Sequence, residues 1–228
     1  MAKPFFIAHA ANNSDALQSA FDSGADFAEI DVWKAPLRHD LTVRHDGISG
    51  GLGFGQKLAD FLTPEVLKTD NHLYFDFKWG AESGLEELIK FLTSHKLEKP
   101  IISSTDWYAL LWANNKYGII PHFTIANTIN LQIFKYLYKT RLYRKFKIKG
   151  RHGISIRGKF LKPEDNLEFK KNNVEVAIWT LNSQKEVEKY TKMDVWGIVI
   201  GNYNLIQNFK RITNSLRTTT KIRQLKAD

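Results

Sequence analysis

The chain has 228 residues, 43% of them apolar and 25% charged, which is enough for one sizeable hydrophobic core. It contains no cysteine, so disulfides, thiolate metal sites and cysteine nucleophiles are excluded. The formal net charge is +9 and the acidic residues are unevenly spread, with none between Asp106 and Glu164. Such a balance favours an anionic partner: a phosphate-bearing substrate, an anionic membrane or nucleic acid.

Read in chain order, short apolar or β-branched runs alternate with helical patterns. The strands are expected at Phe5–His9, Phe27–Trp33, His72–Trp79, Pro100–Ser104, His122–Ala126, Gly153–Arg157, Val174–Leu181 and Val195–Gly201. Between them lie "SDALQSAFDSG", with Ser14 as N-cap and Gly24 as stop, "ESGLEELIKFLTSHK", "DWYALLWANNKYG" and the long basic "NTINLQIFKYLYKTRLYRKF". "KPEDNLEFKKNN", "SQKEVEKYTKM" and "NLIQNFKRI" follow. Eight strand–helix units predict a parallel sheet closed into a compact α/β (β/α)8 TIM barrel, with a doubly wound open sheet as the structural alternative. One piece breaks the alternation: a short inserted strand, Leu41–His45, and a Gly-rich loop, "ISGGLGFGQ", follow the second barrel strand. A single domain over 1–215 and a basic tail over 216–228 are expected. "MAKPFFIAHAANN" lacks the apolar run of a cleavable leader, and no stretch approaches the roughly 18 apolar residues of a membrane span. A cytoplasmic location is therefore expected. The segment Lys135–Lys149 interleaves aromatic with basic residues, a pattern compatible either with a core-facing stripe or with peripheral contact on an anionic membrane. No motif that reads DNA or RNA is visible, so nucleic acid is not expected as a partner.

In a parallel barrel the active site forms at the C-terminal strand ends. Strand one ends in His9. Glu29 and Asp31 are two apart on strand two and share a face, as do Asp76 and Lys78 on strand three. Alone, Glu29 and Asp31 could be ordinary ion-paired strand residues. Together with Asp76 they form an all-carboxylate set suited to one hard divalent cation, Mg2+ or Ca2+. The segment "LRHDLTVRHDG" contains Arg-His-Asp twice. His45 alternates with Val43 and Leu41 and is assigned to the site. His39 falls in the turn before that strand and is assigned to solvent.

The order His9, "GADFAEIDV", "VRHDG", "LYFDFK" and "IWTLN" resembles the glycerophosphodiester phosphodiesterase family, within the phospholipase C-like phosphodiesterase superfamily. The resemblance runs from Ile7 to about Tyr203. It implies His9 and His45 as the general acid–base pair, Glu29, Asp31 and Asp76 as holders of one cation, Lys78 on the phosphate and Trp179 at the substrate mouth. The implied activity is metal-dependent cleavage of a glycerophosphodiester or related phospholipid head group. The alternatives are a phospholipase D-like lyase forming a cyclic phosphate and a non-catalytic phosphate- or lipid-binding barrel. There are departures. The family's His-Arg-Gly is His9-Ala10-Ala11 here, so Arg44 or Arg157 is expected to replace the missing phosphate ligand. Asp76 stands where Glu is commoner, and the family's last-strand "T-D-x-P" reads Ile200-Gly201-Asn202-Tyr203. The short His9-to-Glu29 spacing, the absent Arg and "F-D-x-K" also resemble the sphingomyelinase D-like branch, whose members carry disulfides that this chain cannot form.

Overall fold

The computed structural model describes residues 3–34, 40–45, 55–63, 66–67, 72–79, 81–97, 99–139 and 148–211. The strands are β1 (Phe5–Ala8), β2 (Phe27–Lys34), β3 (Leu41–Val43), β4 (Gln56–Lys57), β5 (His72–Trp79), β6 (Ile101–Ser104), β7 (Ile120–Ile125), β8 (His152–Arg157), β9 (Val174–Leu181) and β10 (Gly197–Ile200). The helices are α1 (Ser14–Asp22), α2 (Leu58–Phe61), α3 (Ala81–Ser94), α4 (Trp107–Tyr117), α5 (Thr128–Lys139), α6 (Pro163–Lys171), α7 (Gln184–Lys192) and α8 (203–211). His39, most of the Gly-rich loop, the basic stretch 140–147 and the tail 216–228 lie outside the described residues.

Eight strands run parallel in the order β1-β10-β9-β8-β7-β6-β5-β2, and a β1–β2 pairing closes the ring. This is the expected TIM barrel. Alternation along the strands sorts side chains into two cores. Ile7, Phe27, Tyr74, Ile101, Ala177 and Val199 pack inside the barrel, whereas Phe6, Ile30, Phe75, Phe77, Ile102, Phe123 and Ile178 face outward into the helical layer. At the N-terminal end of the barrel, Phe5, Phe27 and Trp196 stack at centroid distances of 5.3–5.7 Å and plug the interior. Glu29, Asp31, Asp76 and Lys78 face inward toward the opposite rim.

Local signals set several boundaries. Helix α1 begins at Ser14 but is capped one residue earlier, because the Asn13 side-chain oxygen accepts the Ala16 N–H at 2.8 Å. The expected Ser14 cap is corrected accordingly. Asp106 caps α4 by accepting the Ala109 N–H, and Gly118 ends it at φ +73°, a left-handed conformation that costs glycine little. The inserted strand stops at Val43, two residues short of the expectation, because its pairing with β2 extends only over Val32–Lys34. Sequence periodicity did not predict the two-residue β4 or the single-turn α2, both too short to carry a pattern. Among the described residues, no helix is long and apolar enough to cross a membrane.

Candidate active site

Barrel registry brings the acidic residues together. Asp31 on β2 is the register partner of Asp76 on β5, and Asp76 is the partner of Ser103 on β6. Glu29, one inward position below Asp31, completes a group whose ligand atoms lie within 4.8 Å of one another. Asp31 is fully buried and Glu29 nearly so. Three carboxylates so placed need positive charge. Lys78, the next inward residue after Asp76, ion-pairs with Asp76 and lies 2.7 Å from Asp31 Oδ1. Burial alone would lower the Lys78 pKa, but Asp76, Asp31 and Glu29 outweigh it and hold the ammonium charged.

One lysine does not balance three acids. Burial first, then Asp31 and Asp76, push the Glu29 carboxyl well above the usual carboxylate range, against weaker opposition from Lys78 and the Ala10 N–H. Asp31 Oδ1 accepts no hydrogen bond of normal geometry, and the Lys78 ammonium is its close polar neighbour. An all-oxygen donor set with a formal residue of two negative charges fits a divalent hard cation. Glu29, Asp31 and Asp76 are the residues that would hold it.

Second contacts fix these groups. Asn12, in the loop after β1, grips Asp31 twice: its amide donates to Oδ2 at 2.6 Å and its carbonyl accepts the Asp31 N–H at 2.9 Å. Ser103 Oγ donates to Asp76 Oδ1 at 2.8 Å. Ala10 adopts φ +55°, an uncommon conformation for a residue with a Cβ, and its N–H donates to Glu29 Oε2 at 3.0 Å.

The two histidines converge. His9 is held by its backbone, with its N–H on the Ile200 carbonyl at 3.0 Å and its own carbonyl accepting the Tyr203 hydroxyl at 2.7 Å. His45 arrives from the inserted hairpin. There the Arg44 N–H bonds the Asp31 carbonyl at 3.2 Å, and the Arg44 carbonyl accepts the Trp33 indole N–H at 2.8 Å. The imidazoles stand edge to face with centroids 5.0 Å apart. Burial lowers the His9 pKa to about 4, with His45 and Lys78 adding to the effect and Asp31 opposing it. His9 Nε2 lies 3.6 Å from Glu29 Oε2, but with His9 neutral and Glu29 shifted upward this contact is not a charged pair.

A cleft of about 380 Å3 opens at the C-terminal rim, and His9, His45, Glu29, Asp76, Lys78, Arg157 and Trp179 all line it. The Arg157 guanidinium lies over the Trp179 ring, 4.9 Å from its centre. Arg44 does not line the cleft; its backbone positions His45 instead. Sequence reasoning missed Asn12, Ser103 and Tyr203. Ser103 carries a usable signal, being two residues along from the inward Ile101 on a strand ending in polar residues. The other two contacts join segments far apart in the chain and leave no local pattern.

Fold and site together define a TIM barrel with a carboxylate-rich, histidine-paired cleft at its C-terminal rim. No protein-family model and no curated protein matches the sequence. Solved structures do match. A glycerophosphodiester phosphodiesterase from Parabacteroides distasonis aligns at TM-score 0.68 and 18% identity, over 94% of this chain and 98% of that one. A phosphodiesterase from Oleispira antarctica, in complex with the product sn-glycerol-3-phosphate, aligns at TM-score 0.69 and 16% identity, over 90% and 96%. The glycerophosphodiester phosphodiesterase from Thermotoga maritima aligns at TM-score 0.63 and 17% identity, over 93% and 99%. The chain thus has the fold of these enzymes over nearly its whole length, in agreement with the resemblance drawn from its motifs.

Proposed function

We propose that the protein is a metal-dependent phosphodiesterase that cleaves glycerophosphodiesters by histidine acid–base catalysis. The observation that carries this is the convergence of His9, His45, Lys78 and the three carboxylates on one cleft, in the fold of enzymes named for that activity. The Oleispira enzyme's bound sn-glycerol-3-phosphate supports a small phosphodiester as substrate.

The chemistry follows from the groups present. Neutral His9 accepts the proton of the attacking hydroxyl as its oxygen bonds to phosphorus. His45, across the pair, donates a proton to the leaving alcohol oxygen as the P–O bond breaks. Lys78 and Arg157 offset charge on the phosphoryl oxygens. A divalent cation held by Glu29, Asp31 and Asp76 would supply further electrostatic stabilisation of that charge. Whether the attacking hydroxyl is water or the substrate's own neighbouring hydroxyl decides between hydrolysis and a cyclic phosphate. The test is phosphorus NMR of the purified protein with Mg2+ or Ca2+ and a panel of glycerophosphodiesters, lysophospholipids and sphingomyelin. Turnover that stops with EDTA is expected. No turnover of any member with either ion would leave a binding barrel instead.

A membrane-bound form of the substrate is a second reading, favoured by one observation. Helix α5 exposes Ile129, Ile133 and Tyr136 at 70%, 45% and 61%, at positions i, i+4 and i+7, within the acid-free interval between Asp106 and Glu164. On this reading the protein sediments with phosphatidylglycerol vesicles but not with pure phosphatidylcholine vesicles, and Ile133→Asp abolishes the binding. Equal recovery with both vesicles would exclude an anionic-surface role.

A further inference from the structure

The cleft has two walls of different chemistry. One holds the histidines, the carboxylates and Lys78. The other, from the C-terminal ends of β6 to β9, offers the Thr105 and Thr180 hydroxyls and the Arg157–Trp179 stack, and contributes no carboxylate. Among the described residues Arg157 forms no ion pair, its guanidinium lying over Trp179, so its charge is available to a ligand. Beyond the stack lies a second hollow of about 370 Å3. It shares Arg157, Trp179 and Thr180 with the cleft and adds Lys159, Glu186 and Tyr190. The acid in this hollow is engaged locally: Glu186 Oε2 accepts the Ser183 hydroxyl at 2.8 Å and faces the Asn182 N–H at 3.4 Å, at the start of α7. Lys159 points its ammonium over Phe160 rather than at a carboxylate.

We infer that this wall and the hollow behind it receive the alcohol side of the substrate and select a polyol head group, such as glycerol or inositol, over a quaternary ammonium one. This rests on the phosphodiesterase reading above and names the class of diester within it. A trimethylammonium group is recognised by an open aromatic face or by a carboxylate. Here the Trp179 face is covered by a guanidinium, and the one carboxylate of the hollow, Glu186, has its Oε2 held by Ser183 and stands among two cations, Arg157 and Lys159. Bringing a third cation beside Arg157 and Lys159 costs repulsion in a partly desolvated site. A polyol meets the opposite conditions, because its hydroxyls accept from Arg157 and Lys159 and exchange hydrogen bonds with the threonines. A wall built to bond substrate hydroxyls discriminates against analogues that lack them.

The test compares kcat/KM for glycerophosphoglycerol, glycerophosphoinositol and glycerophosphocholine with Mg2+, followed by phosphorus NMR, for the unaltered protein, Arg157→Gln and Lys159→Gln. Both polyol diesters are expected to exceed the choline diester by at least about tenfold. Arg157→Gln should shrink that ratio by raising KM for the polyol substrates more than for choline, and Lys159→Gln should act in the same direction on the inositol diester. Equal or better use of the choline diester overturns the inference while leaving the phosphodiesterase reading intact. So does an Arg157→Gln loss equal for all three substrates, which would confine Arg157 to the shared phosphate. Absence of turnover on every diester overturns both.

Discussion

His9 and His45 reach the same point by different routes. His9 is clamped through its own backbone by Ile200 and Tyr203. His45 depends on the backbone of Arg44, tied to Asp31 and Trp33. Because the His45 ring is exposed at the cleft rather than packed in the core, its removal should cost rate and not stability. His45→Ala is expected to lower kcat by about 10²–10⁴-fold with an unchanged melting temperature, whereas His39→Ala, assigned no role in proton transfer, should leave the rate within about twofold. Equal effects of the two substitutions on steady-state rate would mean that the second Arg-His-Asp, not the placement of its imidazole, had been misassigned. At this scale the sequence was informative for side chains that act from strand ends, because alternation alone puts Glu29 with Asp31 and Asp76 with Lys78. It was silent on Asn12 and Tyr203, whose contacts with Asp31 and His9 span 19 and 194 positions.

Elements bring their own constraints. The inserted hairpin has a place because β1 pairs with β2 only at Phe27 and Ala28, leaving the far end of β2 open for β3 at Val32–Lys34. Without that open edge, His45 would have no route to the rim. Strand β8 shows a different constraint. Gly153 lies between the register partners His122 on β7 and Glu175 on β9, and a Cβ there would fall 2.5 Å from the Glu175 carbonyl and 2.8 Å from His122 Nε2. The obstacle is backbone on one side and a fully buried ring on the other, so neither can yield cheaply. Gly153→Ala is expected to destabilise the fold by about 1–3 kcal/mol, measured by urea unfolding. A melting curve superimposable on that of the parent would show that β8 has more room than the barrel packing implies.

Across the whole molecule, one line of polar groups runs down the barrel from the cleft to the opposite end. Asp76 accepts from Ser103. Tyr74, whose hydroxyl lies beside Ser103 and Ser155, is 3.1 Å from His122 Nδ1. His122 Nε2 is 3.3 Å from Glu175, and Glu175 pairs with Arg151 at the lower rim. The line follows the register row Asp76–Ser103–His122–Gly153–Glu175, which descends because barrel strands are staggered. Burial lowers the His122 pKa below its ordinary 6.5, although Glu175 opposes the shift. A histidine with a folded pKa below its unfolded one takes up its proton more readily when unfolded. Its contribution is therefore complete above about pH 6.5 and is lost as pH falls toward the folded value. Burial would raise Glu175, but hydrogen bonds from His122 and Arg151 outweigh it and lower the carboxyl below 4.5, so Glu175 begins to lose its contribution only below that pH. Between pH 7.5 and 5 the melting temperature should fall, and His122→Gln, which keeps a polar side chain between Tyr74 and Glu175, should flatten that fall. An identical slope in the variant would place the titrating group elsewhere.

The sequence by itself determined the strand–helix alternation, the barrel class and the residues with strand-end chemistry, because period-two and helical patterns are local properties of consecutive side chains. Tertiary structure alone decided that Asp31 and Asp76 share a register, that His45 stands 5.0 Å from His9, and that Arg157 rather than Arg44 faces the cleft. Each of these depends on ring closure and strand stagger, which join segments distant in the chain and are fixed only when all eight strands pair.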